Sequence, residues 1–124
     1  MNADVNALTE RVIGCVYAVS NGLGAGFLES VYENALALEL SAAGVSYQRQ
    51  KTLPVFYRQE VVGQFAADFL IEDSVIVELK AVRSLLPEHQ AQLINYLKAS
   101  GLRLGLLVNF GTPKVQVKRM VHQL

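Results

Sequence analysis

Val75-Ile76-Val77-Glu78-Leu79-Lys80 is a β-branched run that carries two opposite charges where a buried strand normally carries none. Side chains alternate faces along a strand, so Glu78 and Lys80 point one way while Val75, Val77 and Leu79 point the other. A second misfit lies upstream: Asp68 interrupts Gln64-Phe65-Ala66-Ala67-Asp68-Phe69-Leu70-Ile71, another run with strand character. Charges in otherwise apolar strands need partners or a function, and two acids with a lysine on neighbouring strands suggest a metal site with a cationic helper. The plainer alternative is a solvated Glu78–Lys80 ion pair worth ~0–1 kcal/mol, with Asp68 at a bend.

The 124 residues form one domain, 1–124, long enough for a two-layer core. A hydrophobic fraction of 52% and a mean hydropathy of +0.28 are high for so small a chain, and they predict self-association into a homo-oligomer. Eleven basic and eleven acidic side chains cancel, so nucleic-acid binding has to rest on a local patch rather than on net charge. A single cysteine, Cys15, excludes an intramolecular disulfide and a Cys-rich zinc or iron–sulfur site, and its apolar neighbours make it a small core residue. No apolar run approaches the ~18 residues of a membrane span. Met1-Asn2-Ala3-Asp4 lacks the basic start and apolar block of a signal peptide, so a cytoplasmic location is expected.

Outward from the central run, hydrophobic spacing changes period three times. Val5, Leu8, Val12, Cys15, Val16 and Val19 recur at helical steps between Asp4 and Ser20, and Asn21-Gly22 supplies a stop. The glycine-rich Gly22-Leu23-Gly24-Ala25-Gly26 has neither a preceding strand nor a Lys-Ser/Thr ending, so it reads as a sharp turn between helices rather than a phosphate cradle. A second helix follows from Phe27 to Ala43, closed by Gly44, with Glu29, Tyr32, Glu33 and Leu36 on one side. Glu29 near its start is also what the helix dipole alone favours.

Strand periodicity then runs through Val45–Lys51 and Leu53–Tyr57, a polar turn at Arg58-Gln59-Glu60, Val61–Ile71, a turn at Glu72-Asp73-Ser74 and Val75–Val82. That is a three-stranded meander, with Pro54 at an edge or bulge. After Pro87 a third helix spans Glu88–Ser100, with His89, Gln92 and Tyr96 on one face, and Gly101 ends it. The apolar strand Leu104-Gly105-Leu106-Leu107-Val108 following a helix implies a β-α-β crossover parallel to the Glu78 strand. The basic tail Lys114–Val121 reads equally as an edge strand or a short helix.

Five blocks in this order resemble a known family. Gly26-Phe27-Leu28-Glu29-Ser30-Val31-Tyr32 is similar to the signature of the GxxExxY proteins. The likeness continues through Ala67-Asp68, Val77-Glu78-Leu79-Lys80, His89–Leu97 and Leu106-Leu107-Val108-Asn109-Phe110-Gly111. That family is placed in the PD-(D/E)xK nuclease-like superfamily, and the resemblance implies an α/β, restriction-endonuclease-like core: a mixed β-sheet with a three-stranded meander and a β-α-β crossover, flanked by helices. Carried over residue by residue, the superfamily's site falls on Glu29, Asp68, Glu78 and Lys80, while Gln92 and Tyr96 resemble the Gln-x-x-x-Tyr element of its exonuclease and RecB-like branches. Ala67 stands where the superfamily's name has a proline.

The implied activity is metal-dependent hydrolysis of phosphodiester bonds in DNA or RNA. Asp68 and Glu78, with Glu29 and the Leu79 backbone carbonyl, offer hard oxygens suited to Mg²⁺ or Mn²⁺. Lys80 would orient water or stabilise developing charge, and Gln92 and Tyr96 would hold the phosphate or the lysine. Seen alone, Gln92 is a surface amide, Tyr96 a core aromatic and His89 a helix-start residue. Arg49, Lys51, Lys114, Lys118 and Arg119 are candidate contacts to a nucleic-acid backbone. The competing function is a non-catalytic nucleic-acid- or protein-interaction module that keeps the fold, and a third is a structural dimerising domain in which Glu78 and Lys80 merely pair.

Overall fold

The computed structural model of the chain describes residues 2–122, so Met1 of the amino-terminal tetrapeptide lies outside them. Eight elements follow one another: α1 (Asn2–Leu23), α2 (Glu29–Ala42), β1 (Tyr47–Tyr57), β2 (Glu60–Ile71), β3 (Val75–Lys80), α3 (Pro87–Ser100), β4 (Leu104–Asn109) and β5 (Gln116–Val121). The strands form one sheet in the order β1-β2-β3-β4-β5. β1, β2 and β3 are the antiparallel meander, β3 and β4 run parallel across the α3 crossover, and β5 pairs antiparallel with β4. The basic tail, open between strand and helix in the sequence, is therefore the edge strand.

The central strands explain their own composition. β4 is buried at every position, and β3 at every position but Lys80, because the sheet is covered on both faces. On one face α1 and α2 bring Val12, Val16, Tyr32, Leu36 and Leu40 onto Phe69, Val75, Val77, Leu106 and Val108. On the other, Leu93 and Leu97 of α3 pack on Ala67, Leu70, Ile76 and Leu107. Cys15 is buried in the first of these clusters, as its neighbours predict.

α1 runs through the Asn21-Gly22 stop expected from the sequence and ends at Leu23, so the sharp turn takes up only the second half of the glycine-rich segment, from Gly24, and one side chain holds it. Gly26 takes φ +115°, which a residue with a Cβ rarely adopts. Tyr32, fully buried and stacked on Phe110 with ring centroids 4.6 Å apart, donates its hydroxyl to the Gly24 carbonyl at 2.6 Å and accepts the Phe27 N–H at 3.2 Å. The tyrosine of the Gly26–Tyr32 motif thus fixes where α2 begins, and hence where Glu29 stands.

β1 and β2 extend well past β3 as a two-stranded arm. Its turn, Arg58-Gln59, has both residues at positive φ (50° and 70°), the conformation of a tight hairpin. The arm exposes Phe56, Tyr57, Val61 and Val62. No helix among the described residues is long and apolar enough to cross a membrane.

Candidate active site

The sheet opens at Asp68. β2 and β3 pair through Ile71 with Val75, Leu70 with Ile76 and Phe69 with Val77, and there the ladder stops. The next pair in that series would be Asp68 opposite Glu78, and side chains stand in for its backbone bonds. The Asp68 N–H donates to Glu78 Oε2 at 2.9 Å, and the Leu79 N–H donates to Asp68 Oδ2 at 2.8 Å. Each carboxylate thus satisfies a backbone donor that the missing ladder would leave bare, and the two acids are drawn to one place.

The other edge of β2 is disturbed at the same residue. Pairing with β1 runs from Arg49 with Phe69 to Lys51 with Ala67, skipping Gln50 and Asp68 between them. Gln50 has φ +49°, unusual for a residue with a side chain. Its Nε2 donates to Asp68 Oδ1 at 3.1 Å and to Glu33 Oε1 at 2.8 Å. Face alternation also slips here, since Ala67 and Leu70, an odd number of residues apart, both pack against α3.

Glu78 is only 5% exposed, and burial pushes its carboxyl up to about 8. The charge of Asp68 pushes the same way, the Asp68 N–H bond and Lys80 oppose it, and Glu29 adds a smaller upward push. The Glu29 carboxyl, on the first residue of α2, is also raised, by desolvation first, then by Asp68, with Lys80 opposing and Glu33 assisting. Across the site, burial raises the Tyr96 hydroxyl of α3, and the charges of Glu78 and Asp68 raise it further. Of the six residues singled out from sequence, Glu29, Glu78 and Tyr96 thus all feel the charge of Asp68, and the two glutamates feel that of Lys80.

The sixth, Gln92, lies one helical turn before Tyr96 and is exposed, with no hydrogen bond to the cluster. His89 is taken up by helix capping: its Nδ1 accepts the Leu86 N–H at 3.0 Å while its own N–H donates to the Leu86 carbonyl. Arg49 is engaged with Glu33 at 2.9 Å and with Asn34, and Arg119 with Asn6 at 2.6 Å, while Lys114 and Lys118 are exposed. Arg49 is thus a bracket between β1 and α2 rather than a free contact for nucleic acid.

Among the described residues no three His, Cys, Asp or Glu side chains form a ready ligand set for a metal ion. What the fold brings together is the Asp68–Glu78 pair, with Glu29 at its border. In kind, the pair fits a hard divalent cation. Two adjacent carboxylates, one of them buried, make a like-charge arrangement that a cation relieves. Glu78 Oε1 accepts no hydrogen bond among the described residues and is the open donor.

The sequence reading missed three residues at this site. Gln50 and Glu33 form the hydrogen-bonded chain that ends on Asp68, and neither carries a motif. Phe65 stacks on Tyr96, ring centroids 3.9 Å apart and planes within 9°, a pairing between the β2 arm and α3 that only the register reveals.

A sequence model of the PD-(D/E)XK nuclease superfamily matches residues 6–120. No curated protein matches the chain. Among solved structures, that of SSO0001 is similar with a TM-score of 0.62 at 20% identity, covering 77% of this chain and 50% of that one. An alkaline exonuclease, LHK-Exo, from Laribacter hongkongensis is similar with a TM-score of 0.56 at 14% identity, covering 76% and 56%. At these identities the likeness is one of fold, and the chain spans about half the length of either structure.

Proposed function

Because this chain belongs to the PD-(D/E)XK nuclease superfamily, we propose that it is a metal-dependent nuclease that hydrolyses phosphodiester bonds of DNA or RNA. The observation that carries the reading is the opened ladder, in which Asp68 and Glu78 meet through each other's strands with Lys80 two residues on. Members of the superfamily generally use a divalent metal such as Mg²⁺. Within the superfamily we read the chain as one of the GxxExxY proteins, a reading that the Gly26–Tyr32 motif supports.

Asp68 and Glu78, with the Leu79 carbonyl and Glu29, are the residues that would hold Mg²⁺ or Mn²⁺. A cation bound there supplies Lewis acidity to the phosphate and to a water. The chain's own groups do the rest. Lys80 places a positive charge where negative charge develops on the phosphate, and Tyr96 and Gln92 orient the phosphate by hydrogen bonds. Tyr96 is suited to donate because a tyrosine hydroxyl keeps its proton at neutral pH, and burial and the charges of Glu78 and Asp68 push this one further the same way. Lys51, Lys114, Lys118 and Arg119, whose bond to the neutral Asn6 amide leaves its charge uncancelled, are the cations offered for backbone contacts. We place the protein in the cytoplasm and as a homo-oligomer, with the exposed apolar arm as the surface that self-association would cover.

Removing Glu78 and Lys80 should damage different steps. Glu78→Gln deletes a charge that holds a hard cation, so Mn²⁺ binding by calorimetry weakens and cleavage falls with it. Lys80→Ala leaves Mn²⁺ binding intact or tighter and still abolishes cleavage of a mixed nucleic-acid substrate. No Mn²⁺ binding by the folded wild type, in millimolar metal with nucleic acid present, overturns the enzyme reading in favour of an interaction module.

A further inference from the structure

We propose that Asn109, a residue with no assigned role, is a positioning residue that sets Lys80 against the Asp68–Glu78 pair; the inference rests on the nuclease reading of that site. The need for such a residue follows from the opened ladder. β3 has no β2 partner beyond Val77, so from Glu78 onward its only paired neighbour is β4. Lys80 is the last residue of β3, and the residue opposite it in β4 is Asn109.

Asn109 is fully buried and uses its whole side-chain amide. Its Oδ1 accepts the N–H of Val82 at 3.0 Å and that of Gly111 at 2.9 Å. Its Nδ2 donates to the Val82 carbonyl at 3.0 Å and to Gln116 Oε1 at 3.0 Å. One amide thus grips both backbone groups of Val82, two residues past Lys80. The next residue grips Lys80 itself, the Phe110 N–H donating to the Lys80 carbonyl at 2.8 Å. Gly111 completes the clamp by having no side chain: a Cβ there would overlap the Val82 carbonyl oxygen and amide nitrogen and lie 2.7 Å from the Ala81 carbonyl carbon.

The Asn109-Phe110-Gly111 run therefore holds the chain by hydrogen bonds at Lys80 and at Val82, with Gly111 allowing the close approach between them. Glu78 needs no such help, since its own Oε2 is tied to Asp68 and its backbone lies within the β3–β4 ladder. The clamp acts on Lys80 and on the start of the segment that leads to α3, and leaves the carboxylate pair alone. A loss of about 1 Å in the placement of a reacting group can cost on the order of 100-fold in rate, so a buried amide with no access to substrate can still govern turnover.

The test compares Asn109→Ala, Asn109→Asp and Gln116→Ala in the full chain, each first shown to be folded by circular dichroism at the assay temperature. Asn109→Asp keeps both acceptor bonds and loses both donations, and Gln116→Ala removes one bond without touching Val82. Expected are roughly 10- to 100-fold losses of kcat in the two Asn109 variants with KM and Mn²⁺ affinity nearly unchanged, and a small effect in Gln116→Ala. In a Lys80→Ala background, Asn109→Ala should cause no further loss of residual cleavage, although its effect on unfolding free energy should persist.

Equal loss in both backgrounds, or wild-type kcat in a folded Asn109→Ala protein, overturns the inference. If the wild type cleaves nothing, the nuclease reading fails by itself, and ¹³C-lysine NMR decides the positioning. The Lys80 signal, identified by its absence from Lys80→Ala, should shift on Mg²⁺ addition in the wild type and lose that shift in Asn109→Ala. An unaltered Mg²⁺ response in Asn109→Ala also overturns it.

Discussion

The metal-free protein should become less stable as the solution is made more basic, and Glu78 should be the cause. Its carboxyl is raised from 4.5 to about 8, chiefly by burial and then by the charge of Asp68. A carboxyl whose folded pKa lies above its unfolded value binds a proton in the folded protein that the unfolded chain has already released. Its contribution is then fully present below the unfolded value and is lost as pH rises through the folded one. The window therefore runs from 4.5 to about 8. Within it, one proton is worth about 1.4 kcal/mol per pH unit, so unfolding free energy should fall by roughly 3 kcal/mol between about pH 5.5 and 7.5. Urea denaturation in the presence of a chelator measures this directly. Glu78→Gln provides the baseline, because the amide keeps shape and cannot ionise; its profile should lack this slope. Excess Mg²⁺ should flatten the wild-type profile by binding the ionised pair. Wild type and Glu78→Gln losing stability in parallel would refute the argument.

Other consequences are equally specific. Tyr32→Phe keeps the stack on Phe110 but deletes the bonds to Gly24 and Phe27, which should cost about 1–2 kcal/mol by denaturant titration and lower cleavage by displacing Glu29. Arg49→Ala breaks an exposed ion pair and should change stability by less than about 1 kcal/mol, with nucleic-acid affinity near wild type in a filter-binding assay. Phe65→Ala removes the ring stacked on Tyr96, so kcat should fall by more than Mn²⁺ affinity does, measured by cleavage and calorimetry side by side. If the arm is the self-association surface, Phe56→Ser combined with Val62→Ser should shift the sedimentation profile toward the 13.6 kDa monomer.

Much of this architecture was legible because its signals are periodic. The helical spacing of Val12, Val16 and Val19 places them in the core under α1, and the unbroken apolar run of β4 marks a strand buried on both faces. Boundaries were less visible: α2 begins at Glu29 rather than Phe27, because Tyr32 ties up the Phe27 N–H and the Gly24 carbonyl and delays the helix. The tail could not be assigned by pattern, since Lys114–Val121 alternates only weakly. β4 decides it, by offering a free edge from Leu104 to Asn109 that Gln116–Val121 fills.

The site was legible in its charges and illegible in its supports, and one physical difference accounts for both. A charged residue in an apolar strand is costly enough to stand out in sequence, as Asp68, Glu78 and Lys80 do. The residues that place them are neutral amides and aromatics, whose presence in a strand costs nothing until the register is known. Gln50 lies in a left-handed conformation without a glycine to announce it, because its amide bridges Asp68 and Glu33. Asn109 ends an otherwise apolar strand and looks like a turn residue, yet it is wholly buried and makes four hydrogen bonds, two of them to Val82 at the exit of β3. A strict two-residue alternation through Asp68 puts Ala67 and Leu70 on opposite faces, whereas both pack on α3. The irregularity that hides the site from periodicity is the one that makes it: an intact ladder through Asp68 and Glu78 would satisfy the backbone without their carboxylates and leave the two acids with no reason to meet.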